Sequence, residues 1–193
     1  KMAEPHFSML WADATTQVEV GDGVTITVVA GAVAGAVPPS PPPRSWAARP
    51  DADVAIWHLV VPAGASWTLP PAAGPDTVRT LYAFAGPGVS VDGDQVPGGH
   101  GAVVRCDQPA EVRGTGDATT EVLVLQGRPI AEPVAQQGPF VMNDRAGLLA
   151  AFEDFRRTGF GGWPFESDDP THGPEPRRFA RHADGRVEEV SAP

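Results

Sequence analysis

The chain has 193 residues and a mass of 20.1 kDa, enough for one large or two small domains. Its 14 Lys and Arg face 24 Asp and Glu, for a formal charge of −10 and a pI near 4.8. That balance argues against a nucleic-acid or anionic-membrane surface, where Lys and Arg must displace counterions from phosphates. With 22 Gly and 22 Pro, turns are frequent and long helices disfavoured. The 41% hydrophobic content and clear apolar alternation nevertheless argue for a globular, β-rich chain and not a disordered one.

Strand signals fill the first two thirds. Residues 16–20 and 24–30 are β-branched runs joined by Gly21, Asp22 and Gly23, whose chemistry supplies the positive φ of a tight hairpin. Residues 37–43 carry five prolines, which lack the N–H of a sheet ladder, so an extended surface loop is expected there. At 53–61, Val54, Ile56, His58 and Val60 line one face and Trp57, Leu59 and Val61 the other, the pattern of a strand covered on both sides. Further strands are expected at 65–69, 78–85, 89–91, 95–96, 101–106, 110–113 and 121–125, with Asp92-Gly93 as a hairpin turn. Short strands with turns at this spacing indicate an antiparallel sandwich or barrel.

After Gly127 the pattern changes. Asn143 offers an N-cap, Leu148, Phe152 and Phe155 recur at helical spacing, and Gly159 suits a left-handed C-terminal cap. One amphipathic helix is expected at about 144–158, laying Leu148, Leu149, Phe152 and Phe155 on the sandwich. Beyond it, residues 164–176 read as an irregular wrap and 186–190 as a late edge strand after Asp184-Gly185.

Candidate chemistry is sparse. Cys106 is the single cysteine, which excludes an internal disulfide and a multi-Cys zinc site, and it reads as a buried structural thiol. The charge-free stretch from Gly23 to Pro43 holds an apolar run at 24–37, short of the ~20 residues that span a bilayer. No signal peptide is evident, so a cytoplasmic location is expected. Because Lys1 precedes Met2, the chain reads as the downstream part of a longer protein. A cupin-type iron or manganese site needs imidazoles and a carboxylate converging from neighbouring strands. No His lies between His58 and His100 and no Glu between Glu19 and Glu111, so no metal ligand set is expected in the scaffold.

His58 reads as a core or half-buried residue bonded to backbone, His100 as a strand-edge residue, and His172 and His182 as solvated. The run from Arg177 to His182 is the one basic cluster, suited to pairing with the acidic body. Trp57, Trp67, Tyr82 and Phe84 are candidates to line an interior cavity, although aromatics in small barrels usually fill the core. No nucleophile elbow, phosphate loop or dinucleotide fingerprint occurs.

Residues 127–143, ending in Gly138, Pro139, Phe140, Val141, Met142 and Asn143, resemble the signature that follows the second barrel of pirins. Residues 1–5 resemble the pirin interdomain segment, 62–66 a turn of the second barrel, and 161–164 with 178–186 the tail of bacterial pirin-like proteins. Gln137 departs from the pattern, standing where an aromatic residue is expected. The resemblance implies a mainly β, antiparallel cupin-type β-sandwich or barrel with one C-terminal amphipathic helix and an irregular tail. Residues 1–15 would be an interdomain segment, 16–127 a metal-free cupin barrel and 128–193 a C-terminal extension.

In pirins iron sits in the first barrel, held by histidines and a glutamate, and none of those ligands maps onto this sequence. No catalytic, cofactor-binding or metal-binding residue is assigned. The motif 138–143 is a structural or interdomain element, and iron is expected in an N-terminal domain outside this chain. The implied role is a non-catalytic packing and interaction module for that domain, or for a second copy by self-association. Some intact family members are associated with quercetin 2,3-dioxygenase activity and others with redox-linked regulation. The alternative is a stand-alone small-molecule-binding barrel, or a dioxygenase with an unorthodox site.

Overall fold

The computed structural model of the chain describes residues 6–162, 177–182 and 184–190. It divides into two compact units: Leu10–Ile130, and a second whose described residues are 6–9, 131–162, 177–182 and 184–190. The larger unit holds β1 (Gln17–Val20), β2 (Val24–Ala30), β3 (Ala55–Val61), β4 (Ser66–Leu69), β5 (Val78–Ala85), β6 (Gly88–Val91), β7 (Asp94–Pro97), β8 (His100–Val104), β9 (Ala110–Gly114) and β10 (Thr120–Gly127). All pairings are antiparallel. They form a six-stranded sheet, β1-β2-β3-β10-β5-β8, and a four-stranded sheet, β4-β9-β6-β7. Among the described residues no ladder joins the two sheets, so the architecture is a sandwich and not a closed barrel.

Alternation decides what is buried. On β3, Ala55, Trp57, Leu59 and Val61 are buried while Ile56, His58 and Val60 are half-buried. The inner row continues through Val24, Ile26 and Val28 of β2, Leu81 and Ala83 of β5, and Val122 and Val124 of β10. It meets Leu69, Val89, Val91, Val96 and Val112 of the second sheet. Each fully buried large side chain contributes roughly 1.5–3 kcal/mol, so this layer holds the fold. Covering of β3 on both faces is not what is found: within the sandwich only one face meets a second sheet. The Asp92-Gly93 turn joins β6 to β7 with both residues at positive φ (50° and 94°), as a two-residue hairpin of type I′ requires. Residues 37–42 run without regular structure, as their prolines dictate.

In the smaller unit β11 (Ala135–Gln137) and β12 (Phe140–Met142) form a hairpin, followed by α1 (Arg145–Thr158). The N-cap is Asp144, one residue beyond the expected Asn143; its side chain accepts from Gly147 N–H at 2.7 Å. Gly159 closes the helix in the left-handed conformation (φ 57°). The expected docking face is corrected in two of its four residues. Leu148 is buried and Phe152 half-buried, but Leu149 and Phe155 are exposed, and Ala151 is buried instead. At about 100° per residue, Leu149 lies off the stripe shared by Leu148, Ala151 and Phe152. The rings of Phe152 and Phe155 pack on Phe140 of β12, at centroid distances of 4.5 and 5.9 Å.

The expected late strand is β14 (Val187–Glu189), which pairs with β13 (Phe179–Arg181). The expected wrap at 164–176, with His172, lies outside the described residues. Among the described residues no helix is long and apolar enough to cross a membrane.

Candidate functional site

The six-stranded sheet presents three places where chemistry or recognition could reside: its inner face, the open end of that face, and its outer face. On the inner face the central rungs of β3, β10 and β5 are Trp57–Val124–Leu81 and Leu59–Val122–Ala83. These apolar side chains offer iron nothing to bind, and among the described residues no group of three or more His, Cys, Asp or Glu could hold a metal ion. An iron centre does not fit this interior.

The described histidines are dispersed. His58 points to the outer face, its Nε2 2.8 Å from Glu121 Oε2, so its partner is a carboxylate and not the expected backbone group. His100 opens β8 at the exposed edge, 3.1 Å from the Gly98 carbonyl. His182 is half-buried instead of solvated, 2.9 Å from Glu188 and edge-on to Phe7. Arg186, and after it His182, hold the Glu188 carboxyl below its usual range. In the basic cluster Arg177 pairs with Glu189.

At the open end of the inner face the next rung is Ala55–Gln126–Arg79. Arg79 is fully buried (0% exposed). Its Nε donates to Gln126 Oε1 at 2.8 Å, Nη2 donates to the same oxygen, and Nη1 donates to the Pro70 carbonyl at 2.9 Å. Gln126 Nε2 in turn donates to Asp53 Oδ1 at 3.0 Å. Asp53 Oδ2 accepts from Ala73 N–H, Gly74 N–H and the Thr77 hydroxyl. Gln126 therefore bridges a buried guanidinium and a carboxylate that do not touch. Burial pushes the Arg79 pKa down from its ordinary value, and Cys106 and Asp53 act against that shift. Cys106 is buried as expected, but it lies past the end of β8 and donates to the Thr77 carbonyl.

This network borders a cavity of about 580 Å³ walled by the loop from Gly31 to Pro41 and by Trp57, whose indole N–H donates to the Gly31 carbonyl at 2.8 Å. Gly31 (φ 71°) has no room for a side chain: a Cβ would sit 2.6 Å from the Val54 carbonyl oxygen. Of the four aromatic candidates for an interior lining, only Trp57 lines this cavity. Trp67 packs half-buried against the core, and Tyr82 and Phe84 face outward. The site residues Arg79, Gln126 and Asp53 did not stand out in the sequence. The available signal was phase: Arg79 is two and four residues from inward Leu81 and Ala83, and Gln126 is in step with Val122 and Val124.

The outer face of β3, β10, β5 and β8 is largely apolar. Ile56, Val60 and Leu123 are half-buried, and Leu125, Tyr82, Phe84 and Val103 are exposed, Val103 to 75%. Registers Ile56–Leu125–Thr80–Val103 and His58–Leu123–Tyr82–Gly101 make these positions contiguous. In the smaller unit, Gly138 (φ 57°) and Pro139 turn the β11–β12 hairpin, Phe140, Val141 and Met142 form β12, and Asn143 Nδ2 donates to Glu132 at 2.9 Å.

Residues 56–161 match the family of the pirin C-terminal cupin domain. The chain belongs to the pirin family. A pirin-like protein of Caulobacter vibrioides is 34% identical over 165 residues, covering 83% of this chain and 54% of its own length. A Pseudomonas aeruginosa protein, named provisionally as a quercetin 2,3-dioxygenase, is 31% identical, covering 81% of this chain and 53% of its own length. The chain thus spans about half the length of these pirin relatives. A solved quercetin 2,3-dioxygenase of Acinetobacter baumannii superposes with a TM-score of 0.65 at 24% identity, over 79% of this chain and 49% of that one. This likeness establishes the cupin fold.

Proposed function

We propose that this pirin domain is a non-catalytic packing and interaction module. Its partner is an iron-binding N-terminal cupin domain or, where that is absent, a second copy of the chain. The observation that carries the reading is the contiguous apolar outer face of β3-β10-β5-β8, because apolar surface of this kind on a soluble fold marks an association site. The half-length match to pirin relatives supports a partner of comparable size.

Any quercetin 2,3-dioxygenase chemistry of the whole protein then belongs to iron held by the partner domain, and this half supplies a stable wall for it. The acidic charge argues against direct contact of this domain with nucleic acid or an anionic membrane. A stand-alone dioxygenase would need a ligand set, and no cluster of described residues supplies one.

Sedimentation of the purified chain should show concentration-dependent association that Val103→Glu abolishes. Quercetin with added Fe(II) should show no turnover, and the chain should retain no stoichiometric iron after desalting. A monomer at every concentration, or turnover by this chain, would refute the assignment.

A further inference from the structure

The two sheets of the sandwich end in four edge strands, β1, β8, β4 and β7, and three of them are blocked. β1 carries Glu19, and β7 carries Asp94 and Pro97. On β4 the Ser66 carbonyl accepts from Asp22 N–H, so the turn after β1 lies against that edge. Charge, proline and a covering segment are the usual devices that keep an edge from pairing with another chain. β8 has none of them: His100–Val104 contains no proline and no Asp, Glu, Lys or Arg. Among the described residues, 100–104 make no backbone hydrogen bond outside their ladder with β5. Gly101 and Val103 are exposed as well. The outer side of β8 is therefore a row of unpaired backbone donors and acceptors, which only another extended strand satisfies in full.

We propose that β8 pairs antiparallel with β8 of a second copy, joining two six-stranded sheets into one about a two-fold axis at Ala102. Three observations select this occupant. An antiparallel edge pair is self-complementary, and an axis at Ala102 is the register that pairs all five residues of the strand. It sets Val103 opposite Gly101, and the Tyr82 ring lies over Gly101, where a Cβ would stand 2.7 Å from Tyr82 Cδ1. Each exposed Val103 then meets the ring edge of the other copy in the space a larger residue at 101 would fill. His100 falls opposite Val104, so no like charges face each other although the chain carries −10. This contact goes beyond the packing role: it uses the backbone of the sheet edge and leaves the outer face free for an N-terminal domain.

The test reads the register by disulfide trapping in the full chain. Residues directly opposite in an antiparallel pair have Cα atoms about 4.5–5.5 Å apart, within the range a disulfide spans. Under oxidised glutathione Ala102→Cys should form a linked dimer at least about tenfold faster than Val103→Cys, whose two copies would stand about 8 Å apart. The native thiol, Cys106, is buried, and the native chain serves as the blank. His100→Cys mixed with Val104→Cys should link the two chains, while neither links alone; this pair decides the register if Ala102→Cys does not fold by circular dichroism. Equal linking of Ala102→Cys and Val103→Cys, or a mixture that links no faster than its components, would overturn the proposal. Ala102 and Val104 pack toward the inner core, so stacking of outer faces cannot produce this pattern. Association without it would sink the edge pairing and leave the packing role standing.

Discussion

The two faces of the six-stranded sheet come from the same strands, with alternate residues sent to opposite sides, and both are apolar. They differ in what covers them. The inner residues Ile26, Leu59, Leu81 and Val122 are fully buried against the four-stranded sheet, whereas Tyr82, Phe84, Leu125 and Val103 on the outer face stay exposed. Identical strand chemistry thus serves folding on one side and stays exposed on the other. Hydrophobicity alone does not say which role a residue plays; the presence of a second layer does.

The sharpest test is a matched pair on one strand. Leu81→Ala should destabilise the chain by about 3 kcal/mol, lowering the melting temperature by roughly 6–12 °C, because it opens a cavity in a fully buried layer. Phe84→Ala, three residues on and over half exposed, should cost less than about 1 kcal/mol in the same urea or thermal melt. Equal losses would break the distinction between the faces.

The open end of the inner face should behave as part of the folding layer although it is polar. Asp53 sits at φ 51°, a left-handed conformation that alanine disfavours, and its carboxylate fixes residues 73–77 through three donors. Asp53→Ala should therefore cost about 2–3 kcal/mol, since it strands those donors and removes the counter-charge of Arg79. Urea unfolding monitored at the same protein concentration measures it. A loss below about 0.5 kcal/mol would place the network outside the stabilising layer.

On the outer face the expected sign is different. Tyr82→Lys should change stability by less than about 0.5 kcal/mol while weakening self-association, read by the two methods on one sample. A melt that shifts together with the association state would tie this face to folding after all.

Most of the sandwich was legible because its strands are long enough to alternate. Residues 24–30 and 78–85 carry enough β-branched and aromatic positions to set both ends, and Asp92-Gly93 marks its own turn. The hairpin β11–β12 was visible as a family signature but not as strands, because three residues per strand hold too few alternations to show a period. Cover on both sides of β3 does not follow from its sequence for a different reason. Alternation tells which residues share a face, and nothing in a strand states whether a second layer lies over each face. Arg79 was hidden by its type, since a charged residue in a strand is ordinarily assigned to solvent; only its phase with Leu81 and Ala83 betrays it.

The smallest expected effect concerns charge at the rim of the cavity. Asp51 accepts from Arg49 and Arg128, and these two cations flank the Trp46 ring, with centroid distances of 4.7 and 5.6 Å. Arg49, and after it Arg128, hold the Asp51 carboxyl below its usual 3.8. A carboxyl whose folded pKa lies below its unfolded one stabilises the fold above the unfolded value, and that contribution disappears as pH falls through the folded one. The stability difference between the native chain and Asp51→Asn should therefore be present at neutral pH and shrink as the pH falls below the ordinary carboxylate range. Because the cluster is exposed, raising the salt concentration should shrink that difference as well. A difference that grew on acidification would have the wrong sign for a depressed carboxyl and would remove Asp51 from the account of how the rim is held.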